Sequence, residues 1–127
     1  MIILAFALAL AAVQPVPGEI ELTMDGVTTT HAVADCAIEA EGAMPARLQA
    51  QDMDVTLNVA KADHMQTISV IRNNQNWSAS RLFIAGNWMD QGRPGEPIIA
   101  EWGETIRIEA VLTSGQEEKR ASLTARC

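Results

Sequence analysis

ETIRIEAVLTSGQEEKRASLTARC, residues 104–127, decides the fold. In 104–113 the apolar Ile106, Ile108, Ala110 and Leu112 take every second position, with Arg107 and Glu109 between them. Alternation of this kind belongs to a strand with one buried and one wet face. Ser114-Gly115 turns the chain. Residues 119–127 then return with Ala121, Leu123, Ala125 and Cys127 on one parity. Two adjacent amphipathic strands with a short turn make an antiparallel hairpin.

The same rhythm extends upstream. Ile20, Leu22 and Met24 share a face, and Asp25-Gly26 after them is a type I′ hairpin signal. Residues 27–41, VTTTHAVADCAIEAE, read as one long strand. Ala32, Ala34, Cys36, Ile38 and Ala40 would face inward there, and His31, Asp35, Glu39 and Glu41 outward. In 53–60 the inward set is Met53, Val55, Leu57 and Val59; in 66–72 it is Ile68 and Val70, with Ile71 opposite. Residues 78–85, SASRLFIA, suit a strand buried on both sides. Residues 44–51, MPARLQAQ, hold enough Ala, Leu and Gln for one helical turn. About seven strands and no βαβ rhythm predict an all-β fold, either a two-sheet antiparallel sandwich or a partly open barrel.

The leader is a separate matter. Met1–Val13, MIILAFALALAAV, carries no charged side chain. It is shorter than the roughly 20 residues a bilayer core requires. Ala9 and Ala11 form an A-x-A pattern, so residues 1–11 read as a secretory signal peptide. Residues 12–18, AVQPVPG, are a Pro-rich lead-in, and 19–127 form a single β domain. The expected destination is periplasmic or extracellular, with no transmembrane span in the mature chain.

Export changes the meaning of the two cysteines. One intramolecular pairing is available, Cys36 to Cys127, and an oxidising compartment favours it. The chain-entropy estimate for so long a loop is on the order of 4–5 kcal/mol. Two cysteines exclude a four-cysteine zinc site or an iron–sulfur cluster. The net charge of −7 excludes nucleic acid, whose phosphates require a basic footprint.

Few residues carry chemistry. His31 and His64 lack His-x-x-x-His or His-x-His spacing, and Asp52, Asp54, Asp63 and His64 read as solvated turn residues rather than metal ligands. No nucleophile elbow, calcium loop or phosphate-cradling loop occurs. No catalytic residue, metal or cofactor is assigned. The non-periodic stretch 86–103, GNWMDQGRPGEPIIAEWG, reads as a loop or rim. Trp88, Met89 and Trp102 within it are the candidate contact residues, because aromatic side chains dominate recognition hot spots.

The chain opens with a strand, a Met24-Asp25-Gly26 turn and a second strand ending in Val33-x-x-Cys36; it closes on Thr124-Ala125-Arg126-Cys127. Over residues 19–36 and 119–127 it resembles the mycobacterial LpqH-type lipoprotein antigens. The resemblance implies an exported β-rich envelope protein without enzymatic chemistry, in which the early and terminal cysteines are joined. Cys36 and Cys127 are the positions it carries over. The lipobox cysteine of that family is absent here, so lipid attachment is not implied.

The expected function is therefore a non-enzymatic binding or structural module of the envelope or secretome, with a protein or an apolar or lipid ligand as partner. Two alternatives stand beside it. One is a small secreted inhibitor or effector that docks on another protein. The other is a small hydrolase that uses a carboxylate pair.

Overall fold

A computed structural model describes residues 15–127; the expected signal peptide, residues 1–11, lies outside the described residues. Twelve strands follow in chain order: β1 Glu19–Met24, β2 Val27–Ala32, β3 Asp35–Ala37, β4 Ala46–Gln51, β5 Thr56–Ala62, β6 Met65–Arg72, β7 Gln75–Ile84, β8 Asn87–Asp90, β9 Arg93–Pro94, β10 Ile99–Glu101, β11 Thr105–Ser114 and β12 Glu117–Arg126. They form one antiparallel sheet with the path β2-β1-β12-β11-β7-β6-β5-β4-β3. The sheet curls into a partly open barrel, so of the two expected all-β architectures the single-sheet one is realised.

β2 and β3 hold the two ends of that path, yet only Val33 and Ala34 separate them. The segment 27–37 is in effect one bent strand. It leaves β1 after Ala32, pairs with β4 from Asp35, and so links the two ends of the curled sheet. Counting it once gives eight staves, the size at which a barrel interior is just filled by side chains. The interior is packed accordingly. Ile20, Leu22, Leu48, Leu57, Ile106, Ile108 and Leu123 are essentially inaccessible and belong to one cluster with Val59, Val70, Trp77 and Ala125.

The weak seam lies between β7 and β11, which pair only at Thr113↔Ser78. Beyond that pair the strands diverge, and the segment Pro97–Glu101 fills the gap. β10 pairs with β11 there, and Ile98 is buried. The Gln66 side chain fastens this plug. Its Oε1 accepts the backbone N–H groups of Ile98 and Ile99 at 3.0 and 3.1 Å. Gln66 is itself buried, so both otherwise orphaned donors are satisfied.

Several expectations are corrected. Within residues 44–51 the segment Ala46–Gln51 forms β4, not a helical turn: Ala46, Leu48 and Ala50 are buried at period two, and pairing with β5 overrides helix propensity. Residues 27–41 are not one regular strand. The bend at Val33-Ala34 shifts the parity, so His31 is buried while Ala32, Ala34, Ile38 and Ala40 are exposed. Met53 is fully exposed, because Asp52 Oδ1 accepts the Asp54 and Val55 N–H groups and turns the chain outward there. Residues 86–103 contain β8, β9 and β10 rather than a structureless loop. β7 is not buried on both sides along its length, since Leu82, Phe83 and Ile84 are exposed.

Cys36 and Cys127 are bonded, with Cα atoms 5.7 Å apart, inside the range a disulfide spans. Cys36 is half-buried against the core and Cys127 is exposed, so the clasp sits at the barrel rim and not in its interior. Arg47 on β4 reinforces the same corner by pairing with Asp35 at 2.7 Å and Glu41 at 3.1 Å. Those two hydrogen-bonded anions raise its pKa against the opposing effect of burial.

Candidate functional site: an apolar hairpin tip

β7 is ten residues long and outruns its neighbours. Its ladder with β6 ends at Leu82↔Met65, after which Phe83 N–H makes one bond to the His64 carbonyl at 2.8 Å. On the other side β8 pairs with β9 only from Met89, and Gly95 N–H reaches the Trp88 carbonyl at 2.9 Å. Phe83–Asn87 therefore overhang the sheet as a hairpin tip whose ladder is internal: Phe83↔Trp88 and Ile84↔Asn87. The turn is Ala85-Gly86, with φ of 52° and 85°. Positive φ at both central residues is the type I′ arrangement that suits strand twist.

The tip is apolar on both faces. Period two puts Leu82, Ile84 and Met89 on one face, where Asn87 is the polar member opposite Ile84, and Phe83 with Trp88 on the other. The Phe83 and Trp88 rings are tilted at 60° with centroids 5.2 Å apart, a favourable aromatic geometry. Leu82, Phe83 and Ile84 nevertheless remain 46, 42 and 55 % exposed. From Leu82 to Met89 no residue is charged. The charges stand at the base, where Arg81 pairs with Asp90 at 3.4 Å and its Nε donates to the Glu96 carbonyl at 3.0 Å. Gly95 packs closely there: a Cβ on it would lie 3.0 Å from the Asp90 Cβ.

The first face opens on a cleft of about 770 Å³ between the hairpin and β11, with Leu82, Ile84, Met89 and Val111 among its apolar lining. Val111 is exposed on the far wall. Asp90 and Glu118 border this cleft, and Glu96 and Glu109 border a second, of about 490 Å³.

The three candidate contact residues part company. Trp88 and Met89 both lie on β8, half-buried and on opposite faces of the hairpin. Trp102 lies elsewhere: it packs on the core, and its indole N–H donates to the Ile38 carbonyl at 2.8 Å, which pins the segment after β10 to the one after β3. Trp102 is half-buried, and this bond ties it to the segment after β3 rather than to the hairpin. Leu82, Phe83, Ile84 and Val111 are exposed apolar residues beside Trp88 and Met89 that the sequence pattern did not mark. Their signal was a non-alternating apolar run that continues through a turn into a return strand uncharged until Asp90.

A polar cluster sits at the other end of the sheet. The His31 ring is 5 % exposed. Its Nδ1 faces Asp52 Oδ2 at 2.6 Å; a carboxylate only accepts, so Nδ1 carries the proton. Nε2 is hydrogen-bonded to the Thr29 hydroxyl at 2.8 Å, and Arg72 donates to that hydroxyl oxygen at 3.2 Å. The hydrogen bond from His31 is the main cause that holds the Asp52 carboxyl below its usual pKa, helped by the Asp54 and Val55 N–H groups against partial burial. That is the direction of a standing anion, not of a general acid. The order hydroxyl–imidazole–carboxylate is the one used in acyl transfer, but Thr29 lines neither cleft and its oxygen is engaged by Arg72. The cluster joins β2 to the β4–β5 turn and to the end of β6.

Among the described residues no group of three or more His, Cys, Asp or Glu side chains converges on a metal position, so Asp52, Asp54, Asp63 and His64 do not assemble. No helix is long and apolar enough to cross a membrane among the described residues. Comparison of the chain with protein-family models, with curated proteins and with solved structures found no match to any of them.

Proposed function

We propose that this chain is an exported, non-enzymatic binding module of the cell envelope, and that its contact surface is the β7–β8 hairpin around Leu82–Met89. The exposed, uncharged tip carries the reading. Leaving three consecutive large apolar side chains in water forgoes on the order of 1–2 kcal/mol each compared with burial. Contiguous exposed apolar surface on an otherwise acidic, well-packed protein marks an interaction site. Trp88 and Met89 belong to this surface; Trp102 does not. The disulfide and the leader-like residues 1–11 support an extracytoplasmic setting, and the resemblance to the LpqH-type antigens bears on the same class.

The test is site-specific photocrosslinking in the producing cell. A photoreactive side chain replaces Ile84 in one variant and Met53 in another; both positions are exposed, and Met53 lies at the opposite end of the sheet. The expected result is an adduct at Ile84 and none at Met53. Equal labelling at both, or labelling at Met53 alone, overturns the assignment. An effector docking on a single protein would give one discrete protein adduct at Ile84.

A further inference from the structure

We infer that the β7–β8 hairpin inserts into the surface of a lipid bilayer, as an uncharged fin held in the headgroup region by its charged base. This rests on the hairpin being the contact surface and names its partner.

Three features favour a bilayer over a protein groove. The first is two-sidedness. A groove covers one face of a hairpin, but Leu82, Ile84 and Met89 are on one face and Phe83 and Trp88 on the other. A fluid apolar phase covers both. The second is the distribution of charge. Residues 82–89 have none, and Arg81, Asp90 and Arg93 follow at once on either side. At about 3.3 Å per residue, the tip at Ala85 stands roughly 13 Å beyond Arg81. Interfacial elements sink roughly 5–10 Å, so the fin can enter while its base stays among the headgroups. Trp88 then lies in the interfacial zone where indole rings concentrate. The third is the turn. Type I′ turns favour Asn, Asp or Gly at their first central position, and this chain uses the polar-led pairs Asp25-Gly26, Asn73-Asn74 and Gln91-Gly92 elsewhere at positive φ. At the tip it places Ala85 at φ 52° instead. An apolar residue is kept where a polar one would relieve strain, and a tip that leaves water is the setting in which that exchange is useful.

The net charge of −7 adds a constraint on the lipid: repulsion disfavours an anionic surface, so the matching bilayer is zwitterionic.

The experiment is cosedimentation of the oxidised protein with phosphatidylcholine vesicles, and with vesicles of equal parts phosphatidylcholine and phosphatidylglycerol. The wild type is expected to pellet with phosphatidylcholine and less with the mixed vesicles, the difference closing at high salt. Ile84→Asp lowers the partition at least about tenfold, in keeping with the cost of a charge in the apolar layer. Met53→Asp leaves it unchanged. Ala85→Asn lowers partition while leaving the unfolding midpoint equal or higher, which separates loss of insertion from loss of fold. Trp88 emission shifts to the blue on binding, and the shift is absent in Trp88→Leu. Failure of the wild type to pellet, or equal pelleting of Ile84→Asp, overturns the bilayer assignment. If that happens while the Ile84 photoprobe still gives a protein adduct in cells, the hairpin remains the contact surface and its partner is a protein. If both fail, both are wrong.

Discussion

Removal of the Cys36–Cys127 bridge should cost this protein a large share of its stability. The two cysteines are 91 residues apart in sequence, so every described strand after β3 lies inside the covalent loop and only β1 and β2 lie wholly outside it. The chain-entropy relation puts the constraint on the unfolded state at about 4–5 kcal/mol at 25 °C. The folded state has independent reasons to persist without it. β3 keeps its three pairs with β4, Asp35 keeps Arg47, and the Trp102 indole keeps the Ile38 carbonyl. At the other end, β12 keeps its ladders with β1 and β11 as far as Arg126. The effect should therefore act through the denatured ensemble. Domains of this size have about 5–15 kcal/mol in total, so the loss is decisive without being fatal to the fold. The assay is urea unfolding of the wild type and of the Cys36→Ala/Cys127→Ala double variant, followed by tryptophan fluorescence. The expected result is a loss of about 4–5 kcal/mol with a larger m-value, because an unlinked chain exposes more surface. A loss below about 1 kcal/mol with an unchanged m-value would refute the reasoning.

Three further outcomes are expected. Gln66→Leu removes the acceptor of the buried Ile98 N–H and the half-buried Ile99 N–H and should cost about 1–3 kcal/mol; amide exchange should accelerate first in residues 96–101, and uniform acceleration across the sheet would count against the plug. Asp52→Ala should cost about 1–2 kcal/mol at neutral pH by removing the His31 bond and two turn bonds. Because the folded pKa of Asp52 is depressed, its contribution is present above the unfolded carboxyl value near 4. It is lost as pH falls through the lower folded value, so the gap between variant and wild type in urea midpoint should close on acidification; a gap that widens is the wrong sign. Ala85→Asn should raise stability by about 0.5–1 kcal/mol by relieving positive φ in the tip turn, and a drop in thermal midpoint would contradict that geometry.

The strands legible in the sequence are those in which β-forming apolar residues alternate strictly with polar ones. β1, β5, β6, β11 and β12 lie in the body of the sheet, so one face meets the core and strict alternation results. The clasp was legible too, since a chain with two cysteines has one intramolecular pairing to make. What failed to show lies where the chain departs from such ladders. The bend at Val33-Ala34 reverses which parity faces the core, and no residue type there announces it. The burial of His31 follows from the bend and from Asp52, 21 residues away, a relation no local pattern encodes. β4 was obscured because Ala and Leu serve helix and strand alike, and only pairing with β5 decides between them. The hairpin tip was misread for the opposite reason: Leu82, Phe83 and Ile84 have the composition of a buried strand, and their exposure arises only because β7 runs past the end of β6.

Hydrogen–deuterium exchange of the oxidised protein, free and bound to membranes of its producing cell, tests the hairpin assignment most directly. Slowed exchange confined to peptides that span Leu82–Met89, with β2 and the β4–β5 turn unchanged, is the predicted result. Protection centred on any other surface, with Leu82–Met89 exchanging as fast as in the free protein, would contradict it.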